Sequence, residues 1–201
     1  MRRKEFEIND KKEIAEFLST IPTGILSFCD DNRVPYGLPM SFAYNEDKIL
    51  MHSGPQGEKI KNLNEGKKVM FTVFEDYSYI PPYFTGKSAA CQASQFYKSV
   101  MIFGSIEIMV DNQKKIIALE RLMKKFQPDG LYDTLNNNEL EKMIDATVVF
   151  AVNAERITAK FKFGQNLNDD IYGMIIENLL KRNNPLDFKT AEMMKKYRKK
   201  T

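Results

Sequence analysis

Apolar residues recur along this chain with two periods, and the switches between them divide it into elements. Over residues 10–21 the apolar side chains fall at Ile14, Phe17, Leu18 and Ile21, the spacing of one helix face. Asp10 stands where an N-cap belongs, Glu13 follows three residues on, and Pro22 closes the segment. Extended segments then take over. TGILSFC (23–29) reads as a strand, 30–32 as a turn, VPYGLPMSFAY (34–44) as an extended segment, 45–47 as a second turn and KILMHS (48–53) as a returning strand. Pro35 and Pro39 put the middle segment at a strand start, a bulge or a sheet edge, because proline has no N–H to give a ladder.

A Ser/Gly/Pro/Gly turn leads from the third strand into a helix expected over about 57–64, and KKVMFTVFE (67–75) alternates cleanly as a further strand. Residues 77–95 read as a long aromatic loop, a type of segment that in a compact domain shapes a pocket or an interface. FYKSVMIFGSIEIMV (96–110) is a strand in which Gly104 marks a bulge or a close approach. Residues 111–126 form a helix with Ile116, Leu119, Leu122, Met123 and Phe126 on one face, stopped by Pro128 and Gly130. A looser helical patch covers 138–144, and ATVVFAVNAERITAKFKF (146–163) reads as a bent strand or a strand pair. Two helices end the chain, 168–181 and one beyond Pro185. Six strands that meander and return after helices suggest a closed β-barrel with helical covers. There is no internal repeat and no glycine pattern for a dinucleotide-binding turn.

Composition narrows the classes. Of 201 residues, 43% are hydrophobic and 28% charged, as in a globular protein, and no apolar run approaches the length of a membrane helix. The N-terminus turns acidic and polar where a signal peptide becomes apolar, so a cytoplasmic location is expected. The net charge of +3 divides into +6 over residues 181–201 and −3 over the rest, so the body is no nucleic-acid surface. The basic end reads as a solvated helix terminus whose lysines complement the helix dipole. Two cysteines and one histidine exclude a disulfide framework and a histidine-rich metal centre, and no metal site is expected. A cysteine nucleophile paired with His52 stays open as an alternative.

The segment ILMHSGPQGEKIK (49–61) carries the most chemistry. A strand that empties through small residues into a helix start leaves N–H groups free for an anion, with Lys59 one turn in. His52, the sole imidazole, is either a hydrogen-bonded strand-end residue or a proton donor. Ser53, Gly54 and Gly57 read equally as a plain turn, and Pro39, Met40 and Ser41 as a plain edge strand. Tyr97 and Ser99 fit ordinary strand alternation.

Taken in order, VPYGLPMSF, LMHSGPQGEKIKNL, KKVMFTV and FYKSVMIFGSIEI resemble the pyridoxamine 5′-phosphate oxidase-like FMN-binding split barrels. More narrowly they resemble the nitroimidazole-resistance (nitroimidazole reductase) branch, often with an upstream cysteine where Cys91 stands. The resemblance spans about residues 1–127 and then the strand ending at Ile157. It implies a mainly β fold with α: a six-stranded antiparallel split β-barrel over 1–165 with peripheral helices, and a C-terminal helical extension over 166–201 packed on the same domain. It also implies a homodimer with two FMN sites at its interface. Pro39, Met40 and Ser41 would lie along the flavin, His52 and Ser53 near its ring and tail, and Lys59 on its phosphate. Tyr97 and Ser99 would complete the site, from either subunit. Where the vitamin oxidases carry Ser-Arg-Lys this chain has Gly57-Glu58-Lys59, so either the phosphate is held more weakly or another cation helps. The candidates are Lys160 and Lys162 in AKFKFGQN, a run that with Gln165 resembles a segment of FMN-binding regulators and reads equally as a strand end with alternating exposed lysines. The arginine-rich C-terminal strand of the vitamin oxidases is absent, which argues against pyridoxamine phosphate oxidation. The expected activity is an FMN-dependent oxidoreductase acting on a small electron-poor substrate such as a nitroaromatic, with His52 as the catalytic residue. The alternative is a non-catalytic flavin- or haem-binding split barrel. A third reading, a flavin-responsive regulator, would use the basic C-terminus on nucleic acid.

Overall fold

The structure is a computed structural model that describes residues 2–198. Its strands are β1 (Glu7–Ile8), β2 (Thr23–Cys29), β3 (Pro35–Ser41), β4 (Ala43–Asn45), β5 (Lys48–Ser53), β6 (Lys68–Ile80), β7 (Ser94–Met109) and β8 (Val148–Lys162). Its helices are α1 (Lys11–Thr20), α2 (Glu58–Asn62), α3 (Asn112–Phe126), α4 (Glu141–Ala146), α5 (Asp169–Arg182) and α6 (Pro185–Tyr197). The basic C-terminus continues past α6 into residues 199–201, which lie outside the described residues.

The strands form one sheet in the order β3-β2-β6-β7-β8-β5-β4, with β1 paired to β8. Eight strands stand where six are expected, for two local reasons. The extended segment breaks at Phe42 into β3 and β4, and the two-residue β1 adds beside β8. β3 and β4 sit at opposite ends of the order although one residue separates them, so the sheet curls strongly while its ladder stays open. The barrel is therefore split rather than closed. Pro35 and Pro39 lie on β3, the end strand, where a missing N–H costs least. β4 and β5 join through Glu46 and Asp47, both at positive φ, the backbone of a tight hairpin.

The chain divides into two compact units: residues 1–9, 74–99 and 158–201, and residues 10–73 and 100–157. The second unit, the barrel unit, buries Leu26, Phe42, Ile49, Met51, Phe71, Ile102 and Phe150, with Phe42 edge-on to Phe71 at 4.9 Å. β5 buries Ile49, Leu50 and Met51 in succession because both its faces are covered. On one face α3 lays Ala118 and Leu122 against Leu50, Met109, Val149 and Ala151. Gly104 of β7 is the expected close approach, since a Cβ there would stand 2.0 Å from the Asn153 carbonyl oxygen. Asp10 caps α1 by accepting from Lys12 N at 2.8 Å. At its other end Lys125 of α3 donates to the Leu18 and Ile21 carbonyls at 3.0 and 2.6 Å and lies 3.6 Å over the Phe42 ring. Burial pulls the Lys125 ammonium down to about 8.

The first unit contains the segment expected as a loop. Its ends are strand: Tyr77 to Ile80 complete β6 and Ser94 and Gln95 begin β7. Tyr77, Ser78 and Ile80 are buried, and Pro81-Pro82 stops the strand by withholding two N–H donors. Two 3₁₀ turns, Pro82–Thr85 and Ala90–Gln92, fill the remainder. An aromatic stack binds this unit. Phe163 lies flat on Tyr197 with centroids 5.3 Å apart, while Tyr77 meets Phe163 edge-on at 4.8 Å. Pro185 occupies the first turn of α6, where proline is favoured, and Asn184 caps that helix. No helix among the described residues is long and apolar enough to cross a membrane.

Candidate functional site

In the barrel unit, strand alternation sorts the candidates by face. On β3, Met40 is buried while Pro39 and Ser41 are exposed. On β5, His52 is exposed and Ser53 buried, because adjacent strand residues point to opposite faces. His52 and Ser53 are thus held opposite Val149 and Val148 of β8 but do not share a surface.

The loop after β5 is open. A Cβ added at Gly54 or Gly57 meets nothing within 4 Å, and Gly57 has φ 112° and ψ 169°, a conformation that excludes side chains. The helix it opens is shorter than expected, five residues from Glu58, and has no side-chain N-cap. Lys59 reaches back from this turn so that its Nζ lies 3.6 Å from the Met40 Sδ. A thioether is a weak acceptor, and among the described residues no carboxylate comes within ion-pair distance of this ammonium. Partial desolvation where the exposed ring meets its surroundings, then repulsion from Lys59, holds the His52 pKa below its ordinary 6.5. Both effects favour the neutral imidazole over the imidazolium. Met40, His52 and Lys59 are brought together in this way.

On the outward face of the sheet Pro39 pairs with Ile25, and Ile25 with Thr72. Thr72 Oγ1 is the one buried side-chain polar atom without a hydrogen bond among the described residues.

The other candidates belong to the first unit. Tyr97 is half-buried, and the Lys160 ammonium stands 5.2 Å from its ring centre and 5.7 Å from that of Phe6. Ser99 is half-buried on the same strand. Lys162 donates to Ser94 Oγ at 2.5 Å. Burial, then the charges of Lys160 and Arg3, hold Lys162 below the usual lysine range. Gln165 uses both ends of its amide on nearby backbone, donating to the Phe161 carbonyl at 2.6 Å and accepting from Phe163 N at 2.7 Å. It fixes the end of β8.

Lys160 and Lys162 open into a cleft of about 570 Å³ that the sequence reading missed, shared with Arg2 and Arg3. The pairing of Glu7 with Lys160 and Ile8 with Ala159 draws the N-terminus alongside β8. The signal was the basic Arg2-Arg3 pair, but a two-residue strand is too short to show a period. Cys29 and Cys91 are both free and exposed, Cys91 at this cleft.

The sequence profile of the pyridoxamine 5′-phosphate oxidase family matches residues 10–161. The chain is 23% identical over 203 residues to the protease synthase and sporulation protein PAI 2 of Bacillus subtilis (strain 168), covering 98% of this chain and 97% of that protein. Among solved structures it is similar to a protein from Bacteroides thetaiotaomicron VPI-5482 named as a candidate for 5-nitroimidazole antibiotic resistance. That pair has a TM-score of 0.62 and 26% identity over 77% of this chain and 85% of the other. The FAD and heme binding protein of Mycobacterium smegmatis shares the fold, with a TM-score of 0.66 and 19% identity over 78% of this chain and 73% of that one. The ordered strand motifs, the split sheet and the profile match across three-quarters of the chain agree: this chain belongs to the pyridoxamine 5′-phosphate oxidase family.

Proposed function

We propose that this protein binds FMN and acts as a flavin-dependent oxidoreductase on a small electron-poor substrate, nitroaromatics being the class to test first. The observation that carries this is the Lys59 ammonium, held against a thioether with no carboxylate partner among the described residues, beside an exposed edge strand and the His52 imidazole. A dianionic phosphate is the partner such a cation lacks.

The residues present fit the cofactor. Gly54 and Gly57 leave room for a phosphate to approach backbone. Pro39 and Ser41 offer a flat, exposed strand for a ring, and Thr72 Oγ1 on that face has an unmet hydrogen bond. When bound, the flavin supplies the redox chemistry, and the protein supplies orientation and electrostatics. Lys59 binds the phosphate, and Met40 packs beneath the strand that carries Ser41. His52, open to solvent, takes the role of substrate contact or, once protonated, of proton donor. Ser53, Tyr97 and Ser99 complete the proposed site in a homodimer. Gln165 acts by holding the backbone of 161–163, and Lys162 stands in a cleft with room for an anion of its own. The proposal keeps 1–165 and the helices from 166 onward in one cytoplasmic protein.

The test is the visible spectrum of the purified protein, followed by denaturation and identification of the released chromophore. Release of FMN, and a Lys59→Gln variant that binds FMN roughly tenfold more weakly but riboflavin unchanged, is the expected result. A colourless protein that ignores added FMN overturns the proposal. A haem band instead makes His52 an axial ligand and the protein a binding module.

A further inference from the structure

We propose that the cleft beside Lys160 and Lys162 is a separate binding site for an organic anion carrying at least two negative charges on an apolar body, a phosphomonoester or a dicarboxylate. Three features of the cleft support this. Its volume, about 570 Å³, is that of a small-molecule pocket. Arg2, Arg3, Lys160 and Lys162 all line it, and among the described residues lining it none is acidic. Its remaining wall is split between hydrogen-bonding groups, Ser94 and Asn166, and apolar ones, among them Phe96 and Ile171.

The two lysines are held in place rather than merely crowded. Lys162 is fixed by Ser94, and Lys160 is seated over the Phe6 and Tyr97 rings. Arg3 lies 3.9 Å from Glu5, a loose and largely solvated pair. Mutual repulsion of such a group is a standing cost that a multivalent anion removes, and partial burial makes that gain larger than at an open surface. The apolar side of the wall rejects bare phosphate as the preferred ligand, because it would leave that surface wet. Two charges and a ring satisfy both halves.

All the lining residues belong to the first unit, so this site requires neither Lys59 nor the flavin reading. The experiment is calorimetric titration of the full chain with 1-naphthyl phosphate, naphthalene-2,3-dicarboxylate, inorganic phosphate and 1-naphthol at low and raised salt. One of the two naphthyl anions is expected to bind at least roughly tenfold tighter than inorganic phosphate or naphthol, and the better of them identifies the anionic group. Arg3→Gln/Lys160→Gln, checked for an unchanged thermal midpoint, is expected to weaken that binding by roughly tenfold or more, with Lys160→Gln alone giving part of the loss. Equal binding by wild type and variant overturns the proposal, as does a preference for inorganic phosphate. Displacement of the bound probe by stoichiometric FMN also overturns it, because the cleft then belongs to the flavin.

Discussion

Replacing Asp187 tests how the first unit is held together. Its carboxylate is 1% exposed and accepts from Arg182 Nε at 2.8 Å, from Arg182 Nη2 at 2.5 Å and from Ser78 Oγ at 2.5 Å. Thr190 Oγ1 accepts the Ser78 N–H at 3.0 Å, so α5, α6 and the end of β6 meet at one polar knot. Asp187→Ala removes a buried member of an ion pair, a change that costs roughly 3–5 kcal/mol. The Arg182 side chain is 33% exposed and can rehydrate, which places the expectation at the lower end, about 3 kcal/mol. Asp187→Asn keeps the acceptor for Ser78 and loses the charge, for about 1–2 kcal/mol. The assay is urea unfolding followed by far-UV circular dichroism and tyrosine fluorescence, the chain having nine tyrosines and no tryptophan. Acid supplies an independent check. The hydrogen bond from Arg182, with that from Ser78, holds Asp187 below the usual carboxylate range. Its contribution is therefore full above the unfolded value of about 3.9 and is lost as pH falls through the lowered folded value. The gap between wild type and Asp187→Ala should narrow only in that acid window. A loss under about 1 kcal/mol at neutral pH, or a gap that stays constant into strong acid, refutes the reasoning.

Because His52 is the only histidine, its imidazole proton resonances can be titrated without assignment. Lys59→Gln removes one of the two causes of its lowered pKa, so the midpoint should rise towards 6.5; an unmoved midpoint shows that Lys59 does not face the ring. The lowered value also means that native-state stability should decline as pH falls below about 6.5, where the unfolded imidazole takes up a proton first. His52→Gln should flatten that part of the stability profile. Gly104→Ala puts a methyl 2.0 Å from the Asn153 carbonyl oxygen, backbone that cannot swing aside. A loss of about 3 kcal/mol or more, read as a fall in thermal midpoint, is expected, and a near-neutral outcome contradicts that packing.

Local features of this protein were legible in the sequence wherever one element decides them alone. The spacing of Ile14, Phe17 and Leu18 and the Asp10 cap define α1, and all three apolar residues are buried. Ile116 and Leu122 bury on α3 as the periodicity indicates, although Phe126 at its end stays 45% exposed. The prolines of β3 mark an edge strand, and the turn expected at 45–47 forms at Glu46 and Asp47, with Asn45 ending β4. The family was legible too, because its motifs are short runs kept in order along the chain.

Tertiary structure decided what depends on pairing between distant segments. Tyr77 to Ile80 look like loop by composition but continue β6, with Tyr77 edge-on to Phe163 of the aromatic stack and Ser78 bonded to Asp187 and Thr190 of α6. Asp187 sits in the most basic part of the chain, where nothing local marks it as buried. Ser78, more than a hundred residues earlier, and Arg182 make it a buried anchor. The cleft cations Arg2, Arg3, Lys160 and Lys162 are joined only through the pairing of β1 with β8. Periodicity records which face of an element avoids water, since that preference acts residue by residue along the chain. Which other segment covers that face is set by packing and register across the whole fold, and a single strand carries no mark of it.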